Sequence, residues 1–143
     1  MTLRMNPYLY MDGNAKEAVQ FYEKALDAHV IMLQTFGEMP ANPDFPLPEN
    51  ARDRVSHATL QVGDTILMLS DTFPGQPVQS SNQVQICIMT DAAEQATRVY
   101  EALREGGQVV MPLQETFWSP AYGIVADKYG INWNISTEVE VKG

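Results

Sequence analysis

The chain contains a single cysteine, Cys87, in 143 residues. No internal disulfide can form, and such sparse cysteine use fits a reducing compartment. Basic side chains are scarce as well, nine against eighteen acidic, for a formal net charge of −9. The nine are scattered, so nothing resembles the positive footprint that nucleic-acid binding requires. No apolar run approaches the ~18–20 residues of a membrane span. The opening "MTLRMNPYLYM" has no charged segment followed by an apolar stretch, and no signal peptide is read there. A soluble, cytoplasmic protein is expected, with neither nucleic acid nor membrane among its partners. Glycine-rich phosphate cradles are missing too: there is no G-x-G-x-x-G and no P-loop, and the turn "MDGNAK" offers Gly13 alone. That argues against a nucleotide-derived methyl donor and against phosphoryl transfer.

What is present is repetition. The length suits one domain, 1–143, and a fold of this size buries roughly 68–70% of the surface that its unfolded chain would expose. From Asn14 to Leu26, apolar residues fall at 15, 18, 19, 22, 25 and 26, the stripe of an amphipathic helix, with Asn14 and Glu17 as a cap pair. "YLYM" precedes it as a strand, "HVIMLQTF" follows as another, and "VSHATLQV" and "TILMLS" meet at Gly63-Asp64 as a hairpin. The second half runs in the same order: strand "VQICIM", a helix from Asp91 capped by Asp91 and Glu94 with apolar positions 92, 96, 99, 100 and 103, a stop at Gly106-Gly107, then "QVVMPL", "YGIVAD" and "INWNIS". "AVQFYEKAL" lies over "ATRVYEAL", and "TILMLS" over "INWNIS". The reading is a duplication: an α+β fold of two βαβββ modules, 1–70 and 84–143, joined by a linker at 71–83. A proline-rich stretch, 37–53, is either a lid or a solvated connection.

In "DKYGINWNIS" the apolar residues Ile131, Trp133 and Ile135 alternate with Asn132, Asn134 and Ser136. Extended to the other strands, alternation sorts Tyr8, Tyr10, Leu67, Leu69, Ile86, Ile88, Trp133 and Ile135 onto one face, to pack beneath the helices. The other face receives Leu9, Met11, Ile66, Met68, Ser70, Gln85, Cys87, Met89, Asn132, Asn134 and Ser136. A mixture of methionine, cysteine and amides fits the wall of a small-ligand cavity, although a plain polar outer face would show the same alternation.

"FYEKAL" in the first helix, "HATLQVGDTILMLSD" in the first hairpin and "GIVADKYGINWNIS" at the end resemble the vicinal oxygen chelate superfamily of glyoxalases, bleomycin-resistance proteins and extradiol dioxygenases. The likeness covers nearly the whole chain. It is strongest to the PhnB-like branch, often labelled 3-demethylubiquinone-9 3-methyltransferase-like. The resemblance implies modules that curl into a mixed sheet around a cavity, a homodimer, and in active members a divalent metal held by His and Glu from the first and last strand of each module. Carried over, those four positions fall on Pro7, Met68, Gln85 and Asn134. An imide ring, a thioether and two neutral amides suit no hard or borderline cation, so the metal site is read as degenerate and no cofactor is expected.

The function expected is therefore small-molecule binding, as in sequestration or resistance, with Met11, His57, Met68, Gln85, Cys87, Trp118, Asn132 and Asn134 lining the cavity. The alternative is a metal-dependent lyase, isomerase or dioxygenase with non-standard ligands such as His57, Asp71 and Glu115. Each candidate also has a plainer reading. His57 is a potential general base or a hydrogen-bonded strand histidine. His29 at the helix exit complements the helix dipole. Cys87 has no basic neighbour in sequence to activate it and reads as a small buried residue. Asp71 and Glu138 end their modules as turn or cap residues, or at a cavity mouth. Trp118 and Tyr122 are either core aromatics or a stacking surface for a ligand or a neighbouring subunit.

Overall fold

The computed structural model describes residues 2–44 and 46–139. The strands and helices are β1 (Tyr8–Met11), α1 (Ala15–Ala25), β2 (His29–Thr35), β3 (Val55–Val62), β4 (Thr65–Asp71), β5 (Ile86–Thr90), α2 (Ala93–Arg104), β6 (Gln108–Gln114), β7 (Tyr122–Ala126) and β8 (Asn132–Thr137). They fall into two units, Met1–Gln79 and Ser80–Gly143. Each unit is a βαβββ module with a four-stranded mixed sheet, ordered β1-β4-β3-β2 in the first and β5-β8-β7-β6 in the second. In both, the first strand runs parallel to the last, and the remaining pairs are antiparallel. The repeat read from sequence is thus the repeat of the fold.

Both helices form where apolar spacing places them. α1 buries Ala15, Ala18, Val19, Tyr22 and Ala25; α2 buries Ala96, Val99, Tyr100 and Leu103. Their caps differ from expectation. Asn14 makes no side-chain cap bond; the Asp71 carboxylate, arriving from the end of β4, accepts from the N–H groups of Gly13 (2.8 Å) and Ala15 (3.0 Å) through Oδ1 and of Val55 (2.8 Å) through Oδ2. A buried anion brought in by the sheet satisfies orphan donors that the local pair leaves open. The second helix begins at Ala93, not Asp91, because Ala92 is extended (φ −144°, ψ 147°), and the Asp91-Glu94 pair does not cap it. Gly106, at φ +74°, ends that unit's helix as expected, a conformation that glycine adopts without a Cβ penalty.

The helix-packed face of the first sheet contains Leu60, Leu67 and Leu69 from β3 and β4; that of the second contains Val125, Trp133 and Ile135. The face expected for β1 is reversed. Its parallel register sets Leu9 opposite Leu69 and Met11 opposite Asp71, and Tyr8 opposite Met68 and Tyr10 opposite Ser70. Leu9 and Met11 are accordingly buried, 7% and 3% exposed, while Tyr8 and Tyr10 are 38% and 56% exposed. "YLYM" is apolar at every position, so alternation within it cannot say which residues face the helix. Pairing with β4 decides.

Candidate functional site

Each sheet has one face packed by its helix and one open face. In the first unit the open face carries Tyr8 and Tyr10 from β1, Met68 and Ser70 from β4, and His57 and Thr59 from β3, brought level by the β1-β4 and β3-β4 registers. Its centre is a hydrogen-bonded cluster. Tyr8 Oη donates to Ser70 Oγ at 3.1 Å, and the His57 ring is held at both nitrogens, Nδ1 by Tyr8 Oη at 3.2 Å and Nε2 by Thr59 Oγ1 at 3.0 Å. His57 lies on the expected face, but as a strand histidine with both nitrogens engaged. The Tyr8 ring also stacks near Tyr10, centroids 5.0 Å apart, and near His57 at 5.7 Å.

In the second unit the open face carries Cys87 and Met89 from β5, Asn132 and Asn134 from β8, and Tyr122 from β7. A hydrogen-bond relay crosses it. Tyr122 Oη donates to Asn134 Oδ1, Asn134 Nδ2 donates to Gln85 Oε1, and Gln85 Nε2 donates to the Asn82 carbonyl at 3.2 Å. The far end fixes every direction: a backbone carbonyl can only accept, which turns the Gln85 amide, which in turn orients Asn134 and commits the Tyr122 proton. Asn132 Nδ2 reaches the Ser81 carbonyl at 3.5 Å. Cys87 is exposed, not the small buried residue expected, because it lies on the open face beside Asn134; its thiol points to Met89 Sδ at 3.7 Å, and the partial desolvation there raises its pKa, which keeps it protonated near neutral pH. A neutral thiol makes a poor nucleophile.

An aromatic arm borders the relay. Trp118, 48% exposed, meets Tyr122 edge-on at 5.3 Å and Phe117 at 4.8 Å. Ser119, fully buried, ties this segment to the end of β8: its hydroxyl accepts from Thr137 N (3.0 Å) and donates to the Thr137 carbonyl (2.8 Å). Sequence reasoning missed Ser119 and Tyr8. No motif surrounds the serine, whereas a correct face for β1 would have found the tyrosine.

Of the residues expected to line a site, His57 and Met68 share the first unit's open face, and Cys87, Asn132 and Asn134 share that of the second. Gln85 joins them through Asn134, and Trp118 through Tyr122. Met11 does not belong; it packs on the helix side opposite Asp71. The same alternation, carried back along β1, assigns Pro7 to the helix side, and only its carbonyl acts, accepting from Met68 N at 3.0 Å. The alternative ligand set of His57, Asp71 and Glu115 is not assembled either. Asp71 projects from the face opposite His57, 4% exposed, with both oxygens occupied by backbone donors, and Glu115 is exposed on the segment after β6.

Two βαβββ modules, each offering an open sheet face of amides, hydroxyls, thioethers and aromatic rings, define a tandem-module protein of the mixed-sheet α+β class. The chain belongs to the Glyoxalase/Bleomycin resistance protein/Dioxygenase superfamily, which it matches over residues 4–135. It is 34% identical to protein PA1353 of Pseudomonas aeruginosa, whose crystal structure superposes with a TM-score of 0.85 over 97% of this chain and 100% of that one. It is 28% identical over 141 residues to protein YjdN of Escherichia coli K12, covering 92% of this chain and 93% of that protein. A PhnB protein from Bacillus cereus, 21% identical, shares the fold at a TM-score of 0.76 over 94% of this chain and 99% of its own.

Many members of such a family hold a divalent cation, and the residues here do not fit one. Met68 offers a thioether, Gln85 and Asn134 are neutral amides bonded to each other, and Pro7 has no side-chain donor. Among the described residues, no three His, Cys, Asp or Glu side chains come together as a metal-binding group.

Proposed function

We propose that this protein binds a small organic molecule on the open sheet faces and does so without metal-dependent catalysis. The observation that carries the reading is the oriented relay Tyr122-Asn134-Gln85 beside a half-exposed Trp118. A handful of placed hydrogen-bonding groups next to aromatic and thioether surface is the composition of a ligand site. Each amide contact contributes about 0.5–1.5 kcal/mol net, so affinity would rest on the apolar and aromatic area, and the relay would select among ligands. Sequestration of a harmful compound is the physiological role that fits a binder lacking an activated nucleophile. The metal-dependent lyase, isomerase or dioxygenase alternative has lost Asp71 to helix capping and has little support. Homodimerisation and a cytoplasmic location remain part of the proposal; sedimentation of the purified chain tests the first.

The test is metal analysis of protein purified without chelator, combined with a fragment screen read by protein NMR. Expected are substoichiometric Zn, Ni, Mn and Fe, and fragments that shift the side-chain amides of Gln85 and Asn134 and the Trp118 indole. Stoichiometric metal, or fragments that leave those signals in place, would overturn the reading.

A further inference from the structure

The open faces have a property beyond their polarity. The chain carries nine basic and eighteen acidic side chains, yet among the described strands none of them shares an open face with Met68 or with Asn134. On β4 the open positions are Ile66, Met68 and Ser70, and Asp71 turns to the other side. On β7 they are Tyr122, Ile124 and Ala126, level with Ser136, Asn134 and Asn132 of β8. On the edge strands the open positions are His29, Met32 and Gln34 of β2 and Gln108 and Met111 of β6. The first unit's face does carry the imidazoles of His57 and His29, whereas the strand positions of the second unit's open face hold no Asp, Glu, Lys, Arg or His, which makes that face the uncharged surface.

We infer that the ligand is electrically neutral and engages the second unit through a carbonyl or carboxamide group. This rests on the binding role proposed above and names its substrate class. An ionised ligand would leave water without meeting a counter-charge, and desolvating an unpaired charge is costly. The relay specifies the rest. The Tyr122 proton is committed to Asn134, which leaves the phenol oxygen able only to accept. Asn134 and Gln85 have each spent one amide N–H, on Gln85 Oε1 and the Asn82 carbonyl, so each retains a second. A ligand arriving here therefore finds two N–H donors, the phenol oxygen as an acceptor, and a spare lone pair on each amide oxygen. A carbonyl oxygen answers the donors, and a carboxamide, which also donates, answers donors and acceptors together. Cys87 adds no charge, since its thiol is protonated.

The experiment uses three analogues of one ring, naphthamide, naphthoate and naphthylmethylammonium, titrated against the full chain by saturation-transfer NMR. Naphthamide is expected to bind about tenfold more tightly than either ion, with affinity unchanged between about 0.05 and 0.5 M salt. Asn134→Ala and Gln85→Ala are each expected to weaken it about five- to tenfold, the worth of one hydrogen bond. If an ion binds as tightly as naphthamide or more so, and the variants weaken it, the binding role stands and neutrality falls. If no analogue binds, or binding survives both substitutions unchanged, the binding role falls and takes this inference with it.

Discussion

Asp71 Oδ1 accepts a hydrogen bond from the backbone N–H of Ala15 at 3.0 Å, linking the last residue of one strand to the first residue of a helix more than fifty positions earlier in the chain. The same carboxylate serves Gly13 and Val55, so one side chain pins the β1-α1 turn and the start of β3. Asp71→Ala leaves three backbone donors without it. About 3 kcal/mol of unfolding free energy should be lost, measured by urea denaturation, and Asp71→Asn should recover only part because an amide offers one acceptor oxygen.

In the second unit Asp127 plays a comparable part. It accepts from Tyr129 N (2.9 Å) and Ile131 N (3.0 Å), closing the turn before β8, and from Trp133 Nε1 at 2.8 Å. Asp127→Ala should cost about 2–3 kcal/mol and alter the near-ultraviolet circular dichroism of the buried Trp133. A variant with wild-type stability and spectrum would contradict this role.

Gly107 begins the path into β6 with no room for a side chain. A Cβ there would lie 2.2 Å from the Ala126 carbonyl oxygen, a backbone atom that cannot swing away. Gly107→Ala should destabilise by about 3 kcal/mol or more, seen as a lowered thermal midpoint. Gly63→Ala, with open space around the added methyl, should suffer only the strain of its positive φ.

Partial desolvation holds the Cys87 thiol above its ordinary pKa. The unfolded chain's thiol therefore ionises first as pH rises, so the native state keeps its full stability below the ordinary thiol range and loses some on passing upward through it. Near neutral pH, alkylation of Cys87 should be slower in the native protein than in the urea-unfolded chain. Equal rates would refute the shift. Cys87→Ser should remove the alkaline decline attributable to this group.

Gln85 and Asn134 are hydrogen-bonded to each other, which makes the proposed degenerate metal site testable. Gln85→His with Asn134→Glu places an imidazole and a carboxylate side by side, and the double variant should gain measurable Zn²⁺ affinity by calorimetry where the wild type has little. No gain would count against the family register that assigns these two positions.

Much of the fold was legible. The helical stripes at 15, 18, 19, 22, 25 and 26 and at 96, 99, 100 and 103 are buried positions, whereas 92, read as part of the second stripe, is exposed ahead of the helix; the hairpin at Gly63 and the turn at Gly130 lie where glycine marks them. Strand β8 was legible as well, because Trp133 and Ile135 alternate with amides of contrasting polarity. β1 was not, for Tyr, Leu, Tyr and Met offer no such contrast. The helix caps misled because Asn14-Glu17 and Asp91-Glu94 satisfy a local rule that nothing in a short window can test against a distant competitor.

Sequence alone determined the duplication, the element types and the presence of Pro7, Met68, Gln85 and Asn134 at the positions picked out by the resemblance, since each depends on residue identity and short-range periodicity. The tertiary structure alone decided which face of β1 meets the helix, that Asp71 is spent on backbone donors, and that Tyr122, Asn134 and Gln85 form one directed relay. Those outcomes depend on strand register, and register is set by which distant residues pair across the sheet.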